Sequence, residues 1–228
     1  MKLSTALATL SLFAAAACTP ADPAEAADSG EATSEATAAA GVIDPNVATK
    51  EELAALPGMS DTIVDAMLGE RPFLETTALD AFLAKHELDD AAREAFYGKA
   101  FVQLNLNTAE EDTFKLIPGV GDKMAHEFEE YRPWVSWAQF DKEIGKYVDA
   151  AEVERFKQYV FIPLDLNTAT EDEFKTIPGV GGHMAHEFEE YRPWKSQAQF
   201  EKEIGKYVDD DEVARLWRYV TIGEAASE

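Results

Sequence analysis

The 228-residue sequence predicts an all-α protein built from three tandem repeats, each containing two helical hairpins. The strongest observation is an internal duplication, because residues 106–160 and 166–220 align without a gap and are identical at 41 of 55 positions. A more diverged copy precedes them: Pro57 lies 61 residues before Pro118, and Pro118 lies 60 before Pro178. Self-similarity at a fixed spacing is typical of repeat proteins, in which each repeat is one structural unit.

The first helix of each repeat is predicted by a capping box, in which a hydroxyl and a carboxylate three residues later satisfy amides at a helix start. The three pairs are Thr49 with Glu52, Thr108 with Glu111, and Thr168 with Glu171. In the second repeat, Phe114 and Ile117 form the apolar face of this helix, and Pro118 with Gly119 ends it and turns the chain.

Three further helices are predicted in each repeat. In the second repeat, a helix begins at about Asp122 and ends before Pro133. Two more are opened by capping pairs, Ser136 with Gln139 and Asp149 with Glu152. The sequence has no strand alternation of useful length, so the prediction is all-α.

The composition narrows the possible functions. The chain has 44 acidic and 20 basic residues, a formal net charge of −24 and 46% hydrophobic residues, which are enough for a packed core. Such acidity repels nucleic acids and anionic membranes unless a local patch overrides it. One cysteine cannot form an intrachain disulfide, and four scattered histidines make a dedicated metalloenzyme a poor prediction. No catalytic constellation is present, so we expect no enzyme activity, cofactor, metal or small-molecule substrate.

The N-terminal residues predict export. Residues 1–17 form a signal peptide, with Lys2 before an apolar stretch and a run of alanines. Cys18 follows this run and resembles the lipid-carrying cysteine of bacterial lipoproteins, although leucine is commoner where Ala15 stands. The resemblance implies a lipid anchor and a place in the cell envelope, at the outer membrane or facing the periplasm. Ordinary cleavage with an incidental cysteine is the alternative.

The predicted tether and repeats follow the signal peptide. Residues 18–45 contain six acids and no base and predict a disordered acidic tether. The repeats are expected over residues 46–104, 105–164 and 165–222, and 223–228 form a short tail.

The segment Ile-Pro-Gly-Val-Gly, at 117–121 and 177–181, lies between two predicted helices and looks like a helix-hairpin-helix motif. Its glycines permit unusual backbone angles, and the amides after them open a helix N-terminus that suits a phosphate. The order of elements resembles the tandem hairpin domain of ComEA-type competence proteins, across all three repeats. This resemblance implies double helix-hairpin-helix units that bind DNA without reading its sequence, as in DNA uptake.

By this resemblance, the second and third hairpins would hold phosphates. The residues are Gly119, Val120, Gly121 and Lys123 in the second repeat, and Gly179, Val180, Gly181, Gly182 and His183 in the third. The first hairpin has Ser60 in place of the second glycine, and Asp122 would compete with a phosphate in the second. The third hairpin is therefore expected to be the least obstructed. The alternative is that the glycines form only the turn that the fold requires.

Local charge predicts that DNA binding is weak. Residues 107–134 contain three basic and seven acidic residues, and residues 167–194 contain two and six, so each hairpin region carries a charge of −4. A second hypothesis is therefore an acidic scaffold that no longer binds DNA and docks a cationic protein partner. His183 and His186, near Glu187 and Glu190, are interpreted as exposed polar positions rather than metal ligands. The aromatic residues at the helix ends are predicted to be core: Phe73, Tyr131, Trp134, Tyr191 and Trp194.

Overall fold

The computed structural model describes residues 41–223, which belong to one structural unit, Ala38–Glu228. The predicted signal peptide, Cys18, the tether as far as residue 40 and the last five residues of the tail lie outside the described residues. Within the described range, no helix has the length and apolar character needed to cross a membrane.

The described residues form twelve helices, four in each repeat, which confirms the mostly helical prediction. The first repeat contains α1 (Lys50–Ala54), α2 (Asp61–Glu70), α3 (Thr76–Lys85) and α4 (Asp90–Tyr97). The second contains α5 (Glu111–Phe114), α6 (Asp122–Glu130), α7 (Trp137–Ile144) and α8 (Ala150–Phe156). The third contains α9 (Glu171–Phe174), α10 (Gly182–Glu190), α11 (Gln197–Ile204) and α12 (Asp210–Trp217). Successive helices pack in pairs, so each repeat consists of two helical hairpins.

Short parallel strands join the beginning of each repeat to its end. In the described part of the chain, β1 (Leu104–Asn105) pairs with β2 (Val160–Phe161), and β3 (Leu164–Asp165) pairs with β4 (Val220–Thr221). An isolated bridge between Ile43 and Ala100 does the same in the first repeat. The all-α prediction omitted these strands because two residues are too few to give an alternating pattern.

The helix starts agree with the sequence in part. The capping box of Thr49 and Glu52 is present, and Ser136 and Asp149 cap α7 and α8 as predicted. The boxes predicted at Thr108 and Thr168 are wrong, because α5 and α9 begin later, after Glu110 and Thr170. The side chains of Asn105 and Asp165 accept hydrogen bonds from the amides of Asn107 and Asn167, and these turns delay the helices.

The core of each repeat is an aromatic cluster. In the second repeat, the ring of Phe128 lies 5.2 Å from Phe114, 5.7 Å from Phe140 and 5.4 Å from Phe156. Trp134 is buried there, and its indole N–H donates to the carbonyl of Phe128. The prediction that Phe73, Trp134 and Trp194 are core residues is confirmed, whereas Tyr131 and Tyr191 are half-buried. Edge-to-face ring pairs of this kind add stability beyond the area that they bury.

The folded region begins earlier than the predicted end of the tether. Ile43 pairs with Ala100, and Asp44 is buried, so both residues belong to the fold although we assigned them to the tether. The hydroxyl of Tyr219 donates to Asp44 Oδ2 over 3.3 Å, which connects the first repeat with the last helix region of the third.

Candidate nucleic-acid interface

The first glycine of each hairpin is required by the turn. Gly58, Gly119 and Gly179 have φ values of +77°, +80° and +81°, a region that other residues adopt only with strain. The following valines, Val120 and Val180, are buried, and their amides donate to carbonyls three residues earlier. The fold alone therefore accounts for Gly119, Val120, Gly179 and Val180.

The second glycine has no such explanation. Gly121 and Gly181 are the N-caps of α6 and α10, with φ values of −98° and −89°, so their backbone is extended and open to any residue. A methyl group at either position would meet no described atom within 4 Å. In the first repeat, Ser60 stands at this position and its hydroxyl accepts from the amide of Ile63, whereas no described side chain caps α6 or α10. Glycine there leaves the helix N-terminus exposed, as an incoming anion requires.

In the second repeat, the start of α6 carries its own anion. Lys115 Nζ lies 2.7 Å from Asp122 Oδ1 and 2.9 Å from Asp112 Oδ1. The hydrogen bond from Lys115 lowers the pKa of Asp122, so a charged carboxylate stands on the first residue of α6. Lys123 Nζ lies 5.2 Å from the centre of the Tyr147 ring, held beside the helix start. The expected competition between Asp122 and a phosphate therefore has a geometric basis.

The third repeat has no carboxylate at the corresponding position. Gly182 replaces Asp122, and a methyl group on it would also meet no described atom within 4 Å. His183 follows and is largely exposed. The hairpin is obstructed on its other side, however, because a methyl group on Gly179 would lie 2.8 Å from Val47 Cγ1 of the first repeat. The third hairpin is thus open at the start of α10 and packed at its turn.

Two arginines that the sequence analysis missed lie at these turns. Arg155 Nη2 donates to the carbonyl of Pro118 over 2.8 Å and also pairs with Glu152. Its counterpart Arg215 is 1% exposed and lies against Gly179, paired with Glu212. They lie far along the chain from the hairpins, so only their identity in both copies of the duplication could have identified them.

Most of the cations around the hairpins are paired with carboxylates. Lys175 lies 3.0 Å from Asp172, as Lys115 does from Asp112 and Asp122. Each arginine at a turn is paired with a glutamate of its own helix. Lys123 has a tyrosine ring as its neighbour. Positive charge at the hairpins is therefore largely neutralised, as the local charge of the sequence predicted.

The two histidines of α10 have different partners. His183 Nε2 lies 3.5 Å from Glu187 Oε1, whereas His186 Nδ1 lies 3.0 Å from Glu171 Oε1. The hydrogen bond with Glu171 raises the pKa of His186. Among residues 41–223, no group of three His, Cys, Asp or Glu side chains is arranged to hold a metal ion.

Comparison with known proteins adds no family. The chain matches no protein-family model, no curated protein and no solved structure. Its resemblance to ComEA-type proteins therefore rests on the motifs of the sequence.

Proposed function

We propose that this chain is a non-catalytic protein with helix-hairpin-helix repeats of the ComEA type that binds the phosphate backbone of duplex DNA. The observation that carries the proposal is the glycine N-cap of α6 and α10. Neither the backbone angles nor internal packing calls for glycine at Gly121 and Gly181, but an anion approaching the amides does. Binding through phosphates would be independent of sequence.

The proposed contacts are few. The amides from Gly121 to Lys123 and from Gly181 to His183 would each hold one phosphate, and the Lys123 ammonium would assist. Gly119, Val120, Gly179 and Val180 would shape the turns behind these amides. Because neutralisation of phosphates supplies most non-specific affinity, one or two cations per hairpin give a dissociation constant of about 100 µM or weaker at physiological salt. Two hairpins that engage one duplex would strengthen it.

Titration of the full chain with labelled duplex DNA at low salt, with and without magnesium, tests this proposal. We expect binding that weakens when Gly121 and Gly181 are both changed to Glu, since the new carboxylates would lie at the open amides. Gly69→Glu is the control for charge alone, because Gly69 is exposed on α2 with open space around it, and the substitution adds one negative charge, half that of the double variant, away from the hairpins. Absence of binding, or a loss of binding free energy in the control that is half or more of the loss in the double variant, would refute the proposal.

The proposed location is the cell envelope, with a lipid on Cys18 anchoring the repeats to a membrane. Fractionation of cells that express the full chain tests the anchor. Wild-type protein is expected in the membrane fraction, and Cys18→Ala is expected in the soluble fraction. A wild-type protein that is already soluble would contradict the lipid anchor.

The second candidate function is an acidic scaffold that binds a cationic protein and no DNA. The pairing of Lys115, Lys175, Arg155 and Arg215 with carboxylates favours it, because little positive charge remains for phosphates. The scaffold predicts salt-sensitive binding of the full chain to immobilised polylysine together with no binding to DNA. Binding to DNA that depends on Gly121 and Gly181 would exclude it.

A further inference from the structure

One carboxylate beneath the start of α10 is buried and incompletely paired. Glu187 is 6% exposed, and its Oε2 has no hydrogen-bond partner among the described residues. A buried carboxylate with an unpartnered oxygen is costly, and a cation bound to that carboxylate would offset the cost. The run Glu-Phe-Glu-Glu-Tyr is polar in sequence, and its first glutamate is nevertheless buried in both copies, as Glu127 and Glu187.

A histidine nitrogen lies close to the Glu187 carboxylate. His183 stands one helical turn earlier, its side chain is 74% exposed, and its Nε2 lies 3.5 Å from Glu187 Oε1. Two ligands of a tetrahedral zinc ion, at bond lengths of about 2.0–2.2 Å, lie about 3.4 Å apart. The observed separation therefore fits one ion between the two atoms, and the exposed side of the imidazole leaves room for water ligands.

An oxygen atom from the next hairpin lies beside this pair. The ring centre of Tyr207 is 5.5 Å from that of His183, and its hydroxyl is 3.0 Å from that of Tyr191. The Tyr191 hydroxyl, and after it the Glu187 carboxylate, raise the pKa of the Tyr207 phenol. Tyr207 is thus positioned to orient Glu187.

The second repeat contains the same cluster without the histidine. Glu127 is buried with an unpartnered Oε2, and the hydroxyls of Tyr131 and Tyr147 lie 2.9 Å apart. Lys123 stands where the third repeat has His183, and an ammonium group cannot bind a metal. The second repeat therefore serves as an internal control for the role of the histidine.

His186 is a poorer ligand than His183. Its Nδ1 faces Glu171 and its Nε2 faces Glu190, at 3.0 and 3.7 Å. The side chains of Glu171 and Glu190 are 37% and 62% exposed, so water solvates them and neither needs a cation as the buried Glu187 does.

We propose that His183 Nε2 and the Glu187 carboxylate bind a divalent transition cation such as Zn²⁺ or Ni²⁺, with water completing the coordination and Tyr207 positioning the carboxylate. Imidazole and carboxylate are ligands that such ions accept, and the acidic chain attracts cations. The site does not depend on DNA binding.

Two measurements on the full chain without DNA test the proposal. Calorimetric titration with ZnCl₂ gives the affinity, and NMR of the four histidine rings during addition of NiCl₂ gives the location, because the paramagnetic ion broadens the ring that it binds. We expect His183 to broaden first, before His186, His126 and His86. His183→Gln should abolish the zinc isotherm, His186→Gln should leave it unchanged, and Tyr207→Phe should weaken it at least about tenfold.

A variant that gains a metal site provides a further test, because a folding defect could abolish binding but could not create a new site. Lys123→His should create a second site over Glu127, which doubles the stoichiometry, because the rest of the cluster is already present there. Far-ultraviolet circular dichroism checks that each variant is folded. The proposal is overturned if wild-type protein gives no isotherm, if His186→Gln reduces binding as much as His183→Gln, or if Lys123→His adds no site.

Discussion

Gly179 and Gly119 have the same backbone angle, but only Gly179 lies against another repeat. The difference in stability between their alanine variants therefore measures how tightly the first repeat packs on the third. Both have φ near +80°, so alanine introduces similar strain, about 1–2 kcal/mol, at each position. Among the described atoms, the methyl group on Gly119 meets only Arg155 Nη2, at 3.5 Å. The methyl group on Gly179 meets Val47 Cγ1 at 2.8 Å and Arg215 Nη2 at 3.1 Å, so neighbouring atoms must move.

The difference between the two variants isolates this clash, because the strain and the entropy lost from the unfolded chain cancel. Overpacking of this kind costs about 1–3 kcal/mol. We expect Gly179→Ala to be less stable than Gly119→Ala by that amount, or by about 2–12 °C in melting temperature at about 2–4 °C per kcal/mol for a chain of this size. Val47→Ala removes the closest atom and should recover most of the difference in the double variant.

Urea unfolding followed by tryptophan fluorescence gives the free energy of unfolding of the wild type, Gly119→Ala, Gly179→Ala, Val47→Ala and the Val47→Ala/Gly179→Ala double variant. Val47→Ala alone should lower the free energy of unfolding only slightly, because Val47 is 42% exposed. If Gly179→Ala is no less stable than Gly119→Ala, or if Val47→Ala gives no recovery, the first repeat does not pack on the third hairpin as described.

Three further predictions concern the cores, the buried acid and the start of α10. Trp194→Ala should lower the free energy of unfolding by about 3–5 kcal/mol, because the side chain is buried and its N–H is bonded to Phe188, and urea titration checks this. Burial raises the pKa of Asp44 above 3.8, so its contribution to stability is complete below pH 3.8 and is lost as the pH rises through the raised value. Relative to wild type, Asp44→Asn should therefore gain stability as the pH rises from 3 to 7, and a constant difference across the acid range would contradict this. Gly182→Ala should raise the melting temperature, because alanine reduces the entropy of the unfolded chain by about 0.4–1 kcal/mol and the site is open, and a decrease would show an unrecognised contact.

The helices and the core were predictable because their signals are local. Periodic apolar residues, proline and glycine at the hairpins, and Ser136 and Asp149 as caps all act within one helical turn. The capping boxes at Thr108 and Thr168 failed because the preceding Asn105 and Asp165 form turns of their own, which a four-residue pattern does not include.

The candidate site was predictable in its residues but not in its surroundings. The hairpin motif located Gly121 and Gly181, but only coordinates separate them from Gly119 and Gly179, which the turn requires. Contacts between repeats, such as that of Val47 with Gly179, join positions far apart in sequence and leave no local pattern. The burial of Glu187 contradicts its polar character, so hydrophobic periodicity could not reveal it.

In the proposed function, the open N-termini of α6 and α10 receive DNA phosphates. Amide NMR of the full chain during titration with a short duplex at low salt tests it most directly. We expect the amides of residues 121–123 and 181–183 to shift progressively, whereas those of residues 60–62, capped by Ser60, should not shift. Unshifted amides at both glycine hairpins, or larger shifts elsewhere in the chain, would contradict it.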